Sequence, residues 1–272
     1  MSSIHFLLLV IGLSGHRFVG ANTELSDASG TLEIGPGLSM LTMPDYIGSD
    51  EEQTLALPFP YVKYSGEHWQ VDRNLINRSL FAAKQWRLDL SFSGSLPVNS
   101  EENAARAGMR DLMPTIEVGP WLQYRFAENK QHYWRTDVAI RKAAASDLSD
   151  YQNAGWTAQA QLFAHIQWQQ RNSLWQWENS LSALWGDARQ HQYFYGVNDM
   201  EQTPNRALYH AQAGYSGCRL SSGLTRRQGP WWAAVFVRYF NLNDARFNDS
   251  PLLKAEENWV AGIAFAWVME KH

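Results

Sequence analysis

The stretch "GWTAQAQLFAHIQWQQRN", residues 155–172, alternates strictly. Its even positions are Trp156, Ala158, Ala160, Leu162, Ala164, Ile166 and Trp168; its odd positions are Thr157, Gln159, Gln161, Phe163, His165, Gln167 and Gln169. Successive side chains of a strand point to opposite faces, so this segment predicts a strand with one apolar and one polar face. The pattern recurs. Trp86, Leu88, Leu90, Phe92 and Leu96 oppose Arg87, Asp89, Ser91, Ser93 and Ser95. Ile116, Val118, Pro120, Leu122, Tyr124 and Phe126 oppose Glu117, Gly119, Trp121, Gln123 and Arg125. Trp134, Thr136, Val138 and Ile140 face away from Tyr133, Arg135, Asp137 and Arg141, as Trp175, Trp177, Leu181, Ala183 and Trp185 do from Gln176, Glu178, Ser180 and Ser182. Near the C-terminus, Trp259, Ile263, Phe265 and Trp267 stand against small residues. With almost no helical periodicity between these segments, the chain is expected to be all-β.

Connection lengths select the architecture. Short links are expected near Ser65-Gly66, Ala83-Lys84, Glu128-Asn129-Lys130, Arg171-Asn172 and Gln228-Gly229-Pro230, and long polar ones over 44–53, 98–113, 144–154, 187–208 and 243–256. Splitting 67–83 at Arg73-Asn74 yields about twelve strands in which short and long connections mostly alternate. A sandwich would scatter long connections over both ends. The alternation instead predicts an antiparallel up-and-down transmembrane β-barrel over 31–272, with both termini at the short-turn, periplasmic end. Its apolar face would meet lipid, and Trp121, Tyr124, Trp156, Trp168, Trp175 and Trp185 would form interfacial girdles. On that reading lysine should be costly at Leu162 and Ala164 and mild at Gln161.

Composition narrows the partners. Thirteen Trp accompany a mean hydropathy of −0.39, and no apolar run approaches the ~18 residues a membrane helix needs. A net charge of −4 without a basic patch excludes the electrostatic footprint of a nucleic-acid binder. Phe6 to Leu13 form a short apolar core, and Val19-Gly20-Ala21 offers small residues for cleavage, so 1–21 reads as an export signal although only His5 precedes the core. Residues 22–30 would then form a short periplasmic segment. Cys218 is the lone cysteine, which leaves no intramolecular disulfide and no cysteine metal site.

Little in the chain asks for catalysis. His210 and Ser216 are expected on one strand, some 20 Å apart, too far for a nucleophile–base pair. His165 is expected to meet an acid such as Asp137 across neighbouring strands, as a hydrogen bond rather than a catalytic dyad. No metal-ligand spacing, phosphate loop or nucleophile elbow occurs, so no cofactor, no metal and no enzymatic activity are expected. Arg87, Asp89, Glu117, Arg125, Arg135, Asp137, Arg141 and Glu178 fall on the polar faces and would project into the lumen. Charges there need partners or water. They form either a paired network that fills the lumen or the walls of a narrow path for small polar solutes. The acidic stretch Ser49 to Gln53 is expected to be solvated, or to share divalent cations with lipopolysaccharide phosphates.

Three motifs carry a family resemblance. "MPDYIGSDEEQTLALPFPYVKY" at 43–64 resembles the segment that joins the first two strands in the MipA/OmpV family of Gram-negative outer-membrane proteins, with Pro44, Tyr46, Gly48, Ser49 and Asp50 in place. "YFYGV" at 193–197, with Phe194 and Gly196, is similar to the family's long-loop segment. "NDARFNDSPLL" at 243–253 resembles its Asp-Ala…Ser-Pro motif through Asp244, Ala245, Ser250 and Pro251. One departure is the end of the chain, Glu270-Lys271-His272, where such barrels carry an aromatic residue. The resemblance implies an outer-membrane interaction protein that scaffolds murein hydrolase and synthase enzymes. The alternatives are a surface adhesin or a narrow channel.

Overall fold

The computed structural model describes residues 31–271 apart from 66–68, 73–74, 84, 130 and 148–149, so the expected export signal and the segment 22–30 lie outside the described residues. The strands are β1 (Thr31–Pro44), β2 (Glu52–Ser65), β3 (Trp69–Asp72), β4 (Leu75–Ala82), β5 (Trp86–Ser95), β6 (Thr115–Glu128), β7 (His132–Ser146), β8 (Tyr151–Gln170), β9 (Ser173–Gly186), β10 (Gly214–Gln228), β11 (Trp231–Asn241), β12 (Glu257–Trp267) and β13 (Met269–Lys271). They form one antiparallel sheet in which each strand from β1 to β12 pairs with the next in sequence. β1 pairs on its other edge with β12, from Gly37 opposite Ala266 to Thr42 opposite Ala261, and with β13, where Leu32 lies opposite Lys271. The two ends of the sheet therefore meet, and the chain enters and leaves at the end that carries the short turns.

Two of those turns rest on backbone conformation. Arg171, in the two-residue link between β8 and β9, has φ 53°, and Gly229 between β10 and β11 has φ 54°. Tight hairpins need this left-handed geometry because it matches the twist of the paired strands. At the other end the connections are long: 45–51, 96–114, 187–213 and 242–256. The expected long link over 144–154 is a correction. β7 runs to Ser146 and β8 starts at Tyr151, because backbone pairing continues past a bulge at Lys142/Ala144 and lengthens both strands. The 187–208 link extends to 213 and contains helix α1 (Ala188–Tyr195), capped by the Asp187 side chain, which accepts from Gln190 N.

Burial is inverted relative to a soluble protein. Along β7, Tyr133, Arg135, Asp137 and Ala139 are buried while Trp134, Val138 and Ile140 are exposed. Along β12, Asn258, Val260, Gly262, Ala264 and Ala266 are buried while Trp259, Ile263, Phe265 and Trp267 are exposed. No second sheet covers the apolar face among the described residues; the polar face is the enclosed one. Trp168 opposes Trp175 and Trp231 opposes Trp267 near the short turns, whereas Trp156, Trp185 and Trp259 lie near the long connections. Trp121 corrects the girdle expectation: it is 5% exposed and lies on the enclosed face, because it shares the parity of Gln123 and Arg125.

The enclosed face divides in two. Around β1, β2, β11 and β12 it is apolar, with Tyr61, Trp232, Ala234, Ala264, Ala266 and Val268 in one cluster and Leu41, Phe236, Phe240 and Val260 in another. The small residues of β12 make room for large neighbours. A Cβ at Gly262 would lie 2.6 Å from the Phe236 ring, and one at Gly37 would lie 2.5 Å from the Phe59 ring. From β5 to β9 the enclosed face carries the charged residues.

Candidate functional site

The long connections pack against one another over one end of the sheet. Tyr46, Val98, Leu112, Tyr195, Leu242, Ala245 and Phe247 form their common core, with Ile47, Tyr193, Phe194, Tyr209 and Leu253 around it. Loops this long carry backbone groups that the sheet cannot satisfy, so the cap holds only if they find partners among themselves. They do. Tyr46 OH donates to Leu252 O at 2.6 Å, Tyr195 OH to Ile47 O at 2.7 Å and Ser250 Oγ to Tyr195 O at 2.7 Å. Asn258 Nδ2 donates to Ser49 O at 2.9 Å, and Asn103 Nδ2 reaches both Asp45 Oδ2 and Ser49 Oγ, at 2.9 and 3.1 Å. Arg106 ties the 96–114 connection to α1 through Phe194 O at 3.2 Å.

The three sequence motifs thus converge on one structure. Pro44, Tyr46, Gly48 and Ser49 from the first, Phe194 and Gly196 from the second and Ser250 from the third meet in or against this cap. Gly48 has φ +102°, and a Cβ there would come within 2.6 Å of the Leu253 side chain, so both conformation and space call for glycine. Pro251 is half-buried, while Asp50 and Asp244 are exposed and stay outside the packed cluster. In the acidic stretch, Glu51 accepts from Ala104 N at 3.1 Å. Among the described residues no group of three or more His, Cys, Asp or Glu is placed to hold a metal ion.

Burial dominates the electrostatics of the cap. It pushes the Tyr193 phenol up to about 12 and raises the Tyr46 and Tyr195 phenols as well; it lowers the Arg106 guanidinium and the His191 imidazole. His191 lies 2.6 Å from Gln212 O through Nδ1 and 2.7 Å from Ser216 Oγ through Nε2. A carbonyl only accepts, so Nδ1 carries the proton and Nε2 accepts from the serine. The expected separation of His210 from Ser216 is overtaken by this contact. His210 lies outside β10, and His191, from α1 in the same 187–213 connection, fills the position beside the serine. His191 is 0% exposed and packs at 4.8 Å against Phe247, so it braces the cap in a place a substrate does not reach.

Beneath the cap lie the eight charged positions of the polar faces. Arg87 Nε donates to Asp89 Oδ1 at 2.8 Å, and Gln123 Nε2 donates to Asp89 Oδ2 at 2.7 Å. Arg135 Nε lies 3.0 Å from the Asp137 carboxylate, which also accepts from Gln161 Nε2 at 3.0 Å. Arg125 donates to Glu128 at 2.5 Å and stacks over Tyr133 at 4.1 Å. Arg141 donates to Ser91 Oγ at 2.9 Å, and Glu117 accepts from Thr157 Oγ1 at 2.9 Å. Glu178 pairs with His165 at 3.1 Å, which corrects the expected His165–Asp137 contact: Asp137 is already taken by Arg135 and Gln161. Gln161 also accepts from Ser182 Oγ at 3.0 Å and Gln159 Nε2 at 2.8 Å, so a lysine there would break a network rather than be mild.

Arg219 and Arg238 were missed in the sequence. Arg219 follows the odd-position register of Ser221 and Thr225, a weak signal, while Arg238 is hidden in "WWAAVFVRYFN", where both faces are apolar.

A chain whose exposed face is apolar, whose enclosed face is charged and whose ends meet belongs by architecture with sheets that cross membranes. A family model described as MltA-interacting protein MipA matches residues 36–269. The chain belongs to that family. None of the curated proteins matches it in sequence. Among solved structures it is similar to the NanC porin, with 8% identity over 88% of this chain and 98% of that one and a TM-score of 0.35. LpxR from Salmonella typhimurium matches with 7% identity over 85% and 99% of the two chains, TM-score 0.34. OccK8 (OprE) of Pseudomonas aeruginosa matches with 5% identity over 89% and 98%, TM-score 0.28.

Proposed function

We propose that this protein is a closed, twelve-stranded β-barrel of the Gram-negative outer membrane, filled rather than open, which acts without catalysis as an interaction scaffold for peptidoglycan-remodelling enzymes. Counting β12 and β13 as one strand gives twelve, and the pairing of β1 with both supports closure. Trp156 and Trp168 are twelve residues apart on one strand. That is about 40 Å at the usual rise, or roughly 28 Å of height at the ~45° tilt of membrane strands, close to the ~25 Å apolar band of such barrels. Lipid and lipopolysaccharide are then the partners of the exposed face, with both termini and the short turns in the periplasm.

The observation that carries the scaffold reading is the enclosed face itself. Arg87–Asp89, Arg135–Asp137 and His165–Glu178 are paired, Trp232, Phe236 and Phe240 fill the opposite side, and the long connections cover one end. Such an interior leaves recognition to the rims. The family description names an MltA-interacting protein, which makes a murein hydrolase the first partner to test.

The experiment has two arms. Purified protein reconstituted in planar bilayers should be electrically silent, and it should retain murein enzymes on affinity purification from detergent-solubilised envelopes. Discrete, reproducible conductance steps without enzyme retention would replace the scaffold by a narrow solute channel. Recovery from the soluble periplasmic fraction, with no mobility difference between unheated and boiled samples, would overturn the barrel.

A further inference from the structure

Where the exposed apolar wall meets the cap, a groove of about 1310 Å³ opens between the cap ends of β7 and β8, α1 and the 96–114 connection. Lys142 and Trp156 border it as a cross-strand pair. Lys142 continues the outward register of Val138 and Ile140, and Trp156 is 49% exposed on the same apolar face. The Lys142 ammonium lies 4.9 Å from the centroid of the Trp156 ring. A lysine laid along an interfacial tryptophan holds its charge at the level where the apolar band ends.

Two further cations line the groove. Arg110 comes from the 96–114 connection and Arg189 from α1, and both are exposed. Among the described residues none of Arg110, Lys142 and Arg189 has a carboxylate within 4.0 Å. The carboxylates of the groove serve the backbone instead. Asp187 Oδ1 accepts from Gln190 N at 2.8 Å, Asp111 Oδ1 from Ser100 N at 2.8 Å and Glu201 Oε2 from Asn198 N at 2.9 Å. The acids thus hold the connections in shape, and the cations stay without an ion-pair partner.

Single surface cations are ordinary. These three come from three separate elements and converge on one groove that starts at the edge of the apolar band, where the head groups of the outer leaflet lie. Lysine and arginine at that level attract anionic head groups, and guanidinium forks match phosphate oxygens. The groove is far larger than one phosphate and has room for sugars as well. We propose that it binds the phosphorylated saccharide head of an outer-leaflet glycolipid, with Arg110, Lys142 and Arg189 taking the phosphates. The inference rests on the reading of the exposed wall as lipid-facing, and not on the scaffold role.

Native mass spectrometry of the full mature protein in detergent tests it, with bis-phosphorylated lipid A as the probe. Binding should saturate at about one lipid per chain and persist in EDTA, because the positive charge belongs to the protein rather than to bridging metal ions. Dephosphorylated lipid A should bind roughly tenfold more weakly or worse, the loss expected for charged hydrogen bonds. Arg110→Gln, Lys142→Gln and Arg189→Gln should each weaken binding about fivefold, as for one cation beside an anionic head group. The two exposed arginines carry the test even if Lys142→Gln fails to fold. Lys254→Gln, an exposed cation of the 242–256 connection outside the groove, should change nothing. No saturable binding, release by EDTA, equal affinity for dephosphorylated lipid A or for phosphatidylglycerol, or a loss in Lys254→Gln equal to that in Arg189→Gln would each overturn the site. Failure of the lipid-facing reading shows separately, as recovery of the protein from the soluble fraction.

Discussion

Asp137→Asn isolates what the buried network contributes. Asp137 is 2% exposed, and its partner Arg135 is 0% exposed. At 3.0 Å the two charges attract by about 5 kcal/mol with an effective dielectric constant near 20. The variant keeps the hydrogen bond from Gln161, since the amide oxygen still accepts. It also keeps the contacts of the Arg135 guanidinium with Phe163 at 4.0 Å and Trp121 at 5.1 Å, each worth about 0.5–2 kcal/mol. What disappears is the neutralising charge. Breaking a buried pair by removing one partner costs roughly 3–5 kcal/mol, and Asp89, which also acts on Arg135, holds the expected loss near the lower figure, about 3 kcal/mol. Replacing both partners with apolar residues, Arg135→Met with Asp137→Leu, removes the stranded charge and should return to within about 1–2 kcal/mol of the parent. Urea unfolding from lipid vesicles, followed by tryptophan fluorescence, measures all three proteins. A loss under about 1 kcal/mol in Asp137→Asn, or a double variant as unstable as the single one, would refute the account of this network as mutual charge compensation.

The other predictions concern the exposed face and the cap. Leu162→Lys should cost about 2–4 kcal/mol in the same vesicle assay, because Leu162 is 42% exposed on the apolar face near mid-strand, and a neutral result there would mean that this face does not meet lipid. Tyr46→Phe leaves Leu252 O without its donor, so the cap should loosen by about 1–3 kcal/mol and proteolysis within 242–256 should accelerate; unchanged cleavage would show that the bond is dispensable. His191 is held below the ordinary imidazole value by burial, so its contribution is fully present above about pH 6.5 and is lost as the pH falls from there toward its folded value, where the unfolded chain takes up a proton and the folded cap does not. Cap stability, read by hydrogen exchange in 187–213, should therefore decline between neutral pH and about pH 5, and His191→Gln should flatten that decline; a variant with the parent's pH profile would assign the dependence elsewhere.

Strand existence and facing were legible because alternation is a local property. A period of two over Trp134 to Arg141 is enough to place Val138 and Asp137 on opposite faces, whatever lies beyond. The eight charged positions of the polar faces follow from the same rule. Their partners do not, since pairing depends on register between strands. His165 could reach several acids, and only the β8–β9 register, with His165 opposite Glu178, selects one. Arg238 escaped because its strand is apolar on both faces, a pattern that comes from packing Trp232 and Phe236 against the glycine and alanines of β12.

The cap shows where a one-dimensional reading ends. The motifs around Pro44, Phe194 and Ser250 are up to some two hundred residues apart, and each by itself reads as a polar loop. The sequence alone determined the sheet, its two faces and the end at which long connections gather, because pleat and turn chemistry act over a few neighbouring residues. Only the tertiary structure decided that Tyr46 bonds Leu252, that His191 rather than His210 meets Ser216, and that Glu178 rather than Asp137 pairs with His165. Those contacts are set by strand order and register, which bring distant residues together through the summed pairing of the whole sheet rather than through any signal carried by the residues themselves.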